Sequence, residues 1–294
     1  MDDARQTLTS FRDKWQQNRR LAFDETIKEG SDIYSWILTR NGFSSGKELQ
    51  AYLADKPRIL DAGCGNGRVT ALLHKFAGAS AELVGIDLTA AEVARENLAS
   101  YPRVSVTQAD LLGDLSSLGL FDFVYCQEVL HHTTDPKAAF LNVSRRLKPG
   151  GEIAIYVYKV KAPIREYVDD FVRDRLSGLS YEDAMTAMRQ VAELGRVLSA
   201  LESKVTVPEV GVLGIEAGNY EVQRLIYHFF LKCFWNPELS AEANAAINYD
   251  WYHPKLCTRH TPSEIESWFA EAGLRVVQQC VDHYGITMRG AGAV

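Results

Sequence analysis

Between residues 58 and 158, short apolar runs alternate with stretches whose apolar residues return every three or four positions. The runs Arg58–Ala62, Glu82–Asp87, Val104–Gln108, Phe121–Cys126 and Glu152–Tyr158 read as strands. Val69–Phe76, Ala90–Ser100 and Lys137–Leu147 read as helices, and Pro149-Gly150-Gly151 as a turn. Repeated β-α units with short turns predict an α/β, doubly wound, Rossmann-like parallel sheet covered by helices on both faces. After Lys159 the period becomes helical. Ile164, Tyr167, Val168, Phe171 and Val172 share one helix face, Val191, Leu194, Leu198 and Leu201 another, and Leu225, Ile226, Phe229, Phe230 and Cys233 a third. Pro208–Gly218 is Gly-rich and reads as a loop. Thr261-Pro262 with Glu264 forms a capping-box pattern, opening a helix that runs to Ala272 and stops at Gly273. Strands at Arg275–Val281 and Tyr284–Met288 close the chain. Residues 1–50 are read as an aromatic-rich helical cap. Residues 51–160 with 261–294 form the core, and 161–260 a helical insertion acting as a substrate lid.

Composition narrows the class. The 294 residues are 46% hydrophobic, enough to bury a full-sized core. The formal net charge of −6 argues against a nucleic-acid partner, which would call for a net-basic face. The five cysteines are widely spaced, with no CxxC pair, so neither zinc nor any other metal site nor a disulfide framework is indicated. A reducing cytoplasm is the expected compartment. The polar start MDDARQTLTS lacks a signal core, and no apolar stretch approaches the ~20 residues of a membrane span. A homodimer is left open.

The chemistry concentrates at Ile59-Leu60-Asp61-Ala62-Gly63-Cys64-Gly65-Asn66-Gly67-Arg68, where glycines alternate between a strand and a helix. Glycine suits a sharp turn against which a ligand lies, and the helix start behind it offers N–H groups. A dinucleotide loop is spaced G-x-G-x-x-G; this one is G-x-G-x-G, led by an Asp61 placed to receive an ammonium group. Asp87 ends the second strand, where a carboxylate accepts ribose hydroxyls. Asp110 ends the third, where it can accept an adenine amino group. Taken singly, the two carboxylates are as readily caps or turn residues.

These segments resemble class I S-adenosylmethionine (SAM)-dependent methyltransferases acting on small molecules, the type 11/12-like group. Asp61 to Gly67 matches the family's glycine motif, Val84 to Thr89 its ribose motif, and Gln108-Ala109-Asp110 its adenine motif. Phe121 to His132 matches the fourth-strand motif, and Leu147 to Gly151 the turn before strand five. The resemblance spans Arg58 to Tyr158 and, more loosely, Thr261 to Met288. It implies a seven-stranded sheet with its last strand antiparallel. It assigns SAM binding to Asp61, Gly63, Cys64, Gly65, Asn66, Gly67, Asp87, Leu88, Asp110, Leu111 and Gln127. An N-terminal helix often covers the cofactor in this family, which nominates Trp15, Tyr34 and Trp36.

Methyl transfer from a sulfonium is an in-line displacement, and a base is needed only when the acceptor must lose a proton of high pKa. His131, His132 and His260 are the candidate bases, with Asp250 as an orienting carboxylate; for His131 and His132 the alternative is that one caps the following turn and the other packs. Tyr249, Trp251, Tyr252 and His253 form either an aromatic lid toward the substrate or an ordinary buried corner. Lys161, Arg165, Arg173 and Arg175, interleaved with acids, read as a solvated helix face, with an Arg–carboxylate or Arg–phosphate substrate clamp as the alternative. The expected reaction is methylation of a small molecule at O, N or C. RNA or protein methylation, SAM binding without transfer and an NAD oxidoreductase are the alternatives. Cys126 lies in an apolar strand and reads as core.

Overall fold

The computed structural model describes residues 2–293. In chain order its elements are α1 (Asp3–Gln17), α2 (Phe23–Ile27), α3 (Asp32–Arg40), α4 (Gly46–Leu53), β1 (Arg58–Ala62), α5 (Arg68–Phe76), β2 (Glu82–Asp87), α6 (Ala91–Asn97), β3 (Val104–Gln108), β4 (Phe121–Gln127), α7 (Pro136–Ser144) and β5 (Leu147–Tyr158). There follow α8 (Pro163–Leu176), α9 (Tyr181–Ser199), β6 (Lys204–Val207), β7 (Gly218–Glu221), α10 (Val222–Phe229), α11 (Ala241–Tyr252), α12 (Pro262–Glu271), β8 (Arg275–Val281) and β9 (Gly285–Ala291). The chain divides into two compact units. One joins the residues up to Lys14 with Val160–Cys257; the other joins Trp15–Lys159 with the chain from Thr258 onward.

The second unit is built on a seven-stranded sheet of order β3-β2-β1-β4-β5-β9-β8, in which β1 to β5 are parallel and β9 runs antiparallel to both neighbours. Alternation along the strands explains its two cores. Leu60, Ala62, Val124, Cys126, Ile153 and Ile155 face α7 and α12, meeting Phe140, Val143, Trp268 and Phe269. Ile59, Leu83, Phe123, Tyr125 and Ala154 face the other way, toward Ile37, Leu38, Leu53, Leu72 and Phe76 of α3, α4 and α5. With both faces covered, the strands read as near-continuous apolar runs. The N-terminal residues therefore do not form one cap: α3 and α4 belong to the core of the sheet. Pro149-Gly150-Gly151 falls inside the long strand β5. Thr261 caps α12 by accepting from the backbone N–H of Glu264, and Gly273 ends it at a φ of +69°. The box is not reciprocal, because the Glu264 carboxylate turns instead to His260.

The first unit departs from its sequence pattern in three places. A two-stranded antiparallel hairpin, β6–β7, occupies a region read as helix and loop. Helix α8 is turned inside out. Arg165, Asp169 and Arg173 are buried, whereas Tyr167 is 73% exposed and Phe171 lies outside too. The cause is a network around Asp169, which is fully buried. Its carboxylate accepts from Arg165 Nε at 2.6 Å, Trp251 Nε1 at 2.7 Å and the Tyr252 hydroxyl at 2.9 Å. Hydrogen-bond satisfaction of a buried charge has overridden the apolar stripe. Helix α9 likewise buries Ala184, Met185, Met188, Ala192 and Gly195, leaving Leu194 exposed, and Leu201 is exposed just beyond its end.

Candidate active site

The carboxyl ends of the parallel strands share one edge of the sheet, where open α/β folds place their ligands. There β1 passes into the loop Gly63–Gly67 and then α5. Gly63, Gly65 and Gly67 have φ of +82°, +54° and +88°, a region L side chains rarely adopt. Each also clears a neighbour. A Cβ on Gly63 would lie 2.3 Å from Val129 Cγ2, on Gly65 2.8 Å from Trp15 Cζ2, and on Gly67 2.7 Å from Leu98 Cδ1. Three glycines thus let three separate segments close onto the loop.

The loop spends its own donors. The N–H groups of Gly63 and Cys64 both reach the Ile86 carbonyl, at 2.7 and 2.9 Å. That of Gly65 goes to Asp87 Oδ2 at 3.0 Å, that of Gly67 to the Cys64 carbonyl, and that of Arg68 to Asn66 Oδ1. The expected cradle of free N–H groups is absent at these five positions. What remains for a ligand is predominantly negative. Asp61 is fully buried, and its Oδ2 accepts from the Thr70 hydroxyl at 2.6 Å. Burial pushes its pKa up to about 6, with Thr70 opposing the rise and Asp87 adding to it. Asp87 Oδ1 accepts the N–H groups of Thr89 and Ala90, each at 2.8 Å, which closes the turn into α6. Asp110 is exposed and uses Oδ1 on the Leu112 N–H at 2.9 Å, with Leu111 buried beside it. Leu88 is half-buried, and its carbonyl accepts from Gln108 Nε2.

Residues 60–155, about a third of the chain, match a family model described as a methyltransferase domain. This stretch is similar to methyltransferase domains over that third of the chain. An uncharacterized protein of Synechococcus is 37% identical over 110 residues, covering 35% of this chain and 26% of that protein. The ubiquinone biosynthesis O-methyltransferase of Methylococcus capsulatus is 38% identical over 104 residues, covering 33% of this chain and 41% of that protein. The chain thus spans well under half the length of these two relatives. Among solved structures, the N-methyltransferase NodS of Bradyrhizobium japonicum, in complex with S-adenosyl-L-homocysteine, aligns at a TM-score of 0.48 and 15% identity over 95% of this chain and 98% of that one.

The residues at this edge of the sheet suit SAM better than a dinucleotide. The N–H groups of Gly63, Cys64, Gly65, Gly67 and Arg68 are already bonded within the protein, which leaves little to neutralise a pyrophosphate. Two carboxylates, Asp61 and Asp87, suit an ammonium and ribose hydroxyls. Gln127 Nε2, at the end of β4, is buried with no protein partner. Two assigned residues do something else. Asn66 is fully buried and donates to the carbonyls of Arg19 and Leu21, so it fastens the N-terminal segment to the loop. Cys64 packs beside Gly85, its thiol pushed up by burial. Cys126 is core, and its thiol is raised by burial as well.

The candidate bases fare differently from one another. His131 is fully buried, stacked on Tyr158 with ring centroids 3.7 Å apart, and His132 lies half-buried beside it. His260 has both nitrogens engaged: Nδ1 with Glu264 at 2.9 Å and Nε2 with Thr258 at 3.0 Å. Thr258 in turn donates its N–H to the His131 carbonyl at 2.9 Å. His260 therefore braces the segment before α12. Asp250 belongs to the helical unit and pairs with the buried Lys14. Tyr249, Trp251, Tyr252 and His253 are all buried in that unit. Tyr249 stacks on His253 at 4.4 Å, while Trp251 and Tyr252 bond Asp169, so these four form a core corner and present no open aromatic face.

Of the three nominated aromatics, Trp15 is the one that meets the loop at Gly65, and Phe23 packs in the same cluster as Cys64. Tyr34 is buried against Phe76, and Trp36 meets Tyr156 edge-on at 5.3 Å. Sequence reasoning missed Val129 and the residue before it. Glu128 holds a φ of +60° and pairs with Arg68 at 2.9 Å, which ties the end of β4 to the start of α5. The fourth-strand motif contained the signal, since a sharp turn after β4 was needed to return the chain over Gly63.

Proposed function

We propose that this chain transfers the methyl group of SAM to a small-molecule acceptor. The observation that carries the reading is the loop in which Gly63, Cys64, Gly65, Gly67 and Arg68 donate within the protein while Asp61 and Asp87 converge on it. A negative, donor-poor pocket favours a cationic ligand with hydroxyls over a phosphate ester. When bound, SAM supplies an electrophilic methyl on a positively charged sulfur. The protein's part is to hold donor and acceptor in line and to exclude water. Asp61 receives the ammonium, Asp87 the ribose hydroxyls and Asp110 the adenine amino group. The acceptor approaches at the ends of β4 and β5, beside Gln127 and the His131–Tyr158 stack. His132, half-buried and next to that stack, is the residue placed to take a proton from a hydroxyl acceptor.

Titration calorimetry with SAM, S-adenosylhomocysteine and NAD+ tests this. SAM and S-adenosylhomocysteine are expected to bind and NAD+ not. Asp87→Asn keeps the Oδ1 acceptor for the turn but loses the charge and the acceptor of the Gly65 N–H, and should weaken SAM binding by about tenfold or more. A protein that binds NAD+ and ignores SAM ends the proposal.

A further inference from the structure

One face of the sheet carries polar atoms that the domain leaves without partners. Gln127, Tyr156 and Thr287 form a single row across β4, β5 and β9, each paired with the next in register. Above it lies the C-terminal turn of α3. Arg40, 3% exposed, donates Nε to Thr287 Oγ1 at 2.9 Å and one terminal nitrogen to Asp282, while its guanidinium sits 5.0 Å from the ring centroids of both Trp36 and Tyr156. Its other terminal nitrogen, Nη2, is buried and has no partner in the protein. Asn41 bonds the Tyr125 hydroxyl through Nδ2 at 3.2 Å, and that hydroxyl donates to Gln127 Oε1. Asn41 Oδ1 and Gln127 Nε2 are likewise buried and unpartnered. Three such atoms in one small region are unusual, because a buried polar group without a partner costs stability.

The geometry points to a subsite for a carboxylate on the methyl acceptor, held by Arg40 Nη2 with Gln127 Nε2 as second donor. This rests on the proposed transfer reaction. A guanidinium edge and an amide N–H are the donors a carboxylate takes, and Asn41 Oδ1 is left to accept from a hydroxyl beside it. The rings of Trp36 and Tyr156, with His131 at 6.3 Å from Tyr156, supply apolar walls for the body of such an acid. The cofactor's own carboxylate is the other possible source. Tyr156 and Thr287 lie two and three strands from β1, about 10 and 14 Å at ordinary sheet spacing, which sets Arg40 over the acceptor side.

The test is calorimetry of the full chain with sodium benzoate, and with benzamide as a neutral control of the same shape. Both are run with and without saturating S-adenosylhomocysteine. Benzoate is expected to bind about tenfold or more tightly than benzamide. Arg40→Lys, which keeps the charge but loses the fork, should weaken benzoate about tenfold and leave S-adenosylhomocysteine unchanged. Asp282→Asn keeps the turn acceptor for Tyr284 and Gly285, removes the competing carboxylate, and should tighten benzoate severalfold. Equal binding of benzoate and benzamide overturns the inference. So does an Arg40→Lys protein that loses S-adenosylhomocysteine affinity and nothing else, since the subsite then belongs to the cofactor. Failure of S-adenosylhomocysteine to bind removes the proposed function instead, and the titration without it still reads the subsite.

Discussion

Replacing Asp61 with asparagine should stabilise the protein above pH 6 and cost it the cofactor. The carboxyl is fully buried, and its pKa is raised from 3.8 to about 6, chiefly by desolvation. A group whose folded pKa lies above its unfolded value favours folding while protonated. That contribution is lost as pH rises from about 4 through 6, after which it is flat. Roughly two units at 1.36 kcal/mol each give a cost of about 3 kcal/mol for keeping the charge at pH 7. Asparagine is neutral throughout and can still accept from the Thr70 hydroxyl. Urea unfolding at pH 4.5 to 8 measures the difference between the two proteins. Asp61→Asn should be about 1 kcal/mol more stable at pH 4.5 and about 3 kcal/mol more stable from pH 7 upward. In the wild type SAM should bind more weakly below pH 6, because an ammonium wants the carboxylate ionised. A stability difference that does not change with pH, or a wild type that is the more stable protein at pH 8, refutes the reasoning.

Other expectations follow from particular contacts. Gly63→Ala forces a Cβ into Val129 at positive φ and should cost about 3 kcal/mol or more; adding Val129→Ala should recover part of it, read as a coupling energy in a thermal double-mutant cycle. Asp169→Asn leaves the Arg165 guanidinium buried without its counter-ion, and should destabilise the chain by about 3–5 kcal/mol in urea. The double variant Arg165→Met/Asp169→Leu should cost less than Asp169→Asn alone. His253 titrates in the opposite sense to Asp61. Burial lowers its pKa, Nε2 donates to the Leu179 carbonyl and Nδ1 faces Ser10, so its contribution is present above pH 6.5 and lost as pH falls through the depressed value. His253→Gln should flatten the acid limb of the stability profile below pH 6.5.

Most of the sheet was legible because its signals are local. Strands β1, β2, β3 and β8 lie where apolar runs and turn residues place them, and Thr261-Pro262 and Gly273 bound α12 by their own backbone chemistry. The helical unit was not legible to the same degree. A stripe such as Ile164, Tyr167, Phe171 predicts a buried face only if charges face water, and Asp169 instead gathers three side-chain donors from α8 and α11 that no spacing rule links. The hairpin β6–β7 pairs Val205 with Tyr220 across a loop, a non-local match that helical periodicity conceals. At the site, the acidic strand ends were readable as such. The employment of Asn66 by the N-terminal segment, and the brace from Thr258 through His260 to Glu264, depend on chain returns from elsewhere in the sequence.

Because five N–H groups of the glycine loop are held by the end of β2 and by the loop itself, its shape does not wait for a ligand. Binding then carries little of the ordering cost that a mobile loop would add, at roughly 1–2 kcal/mol of backbone entropy per residue fixed. Such a site discriminates by fit, since it gives up internal bonds to accept any other shape. In the proposed reaction the same stiffness would apply after transfer: S-adenosylhomocysteine meets the same contours, and its departure is driven by the lost methyl and the positive charge that goes with it, the two features of the ligand that the reaction changes.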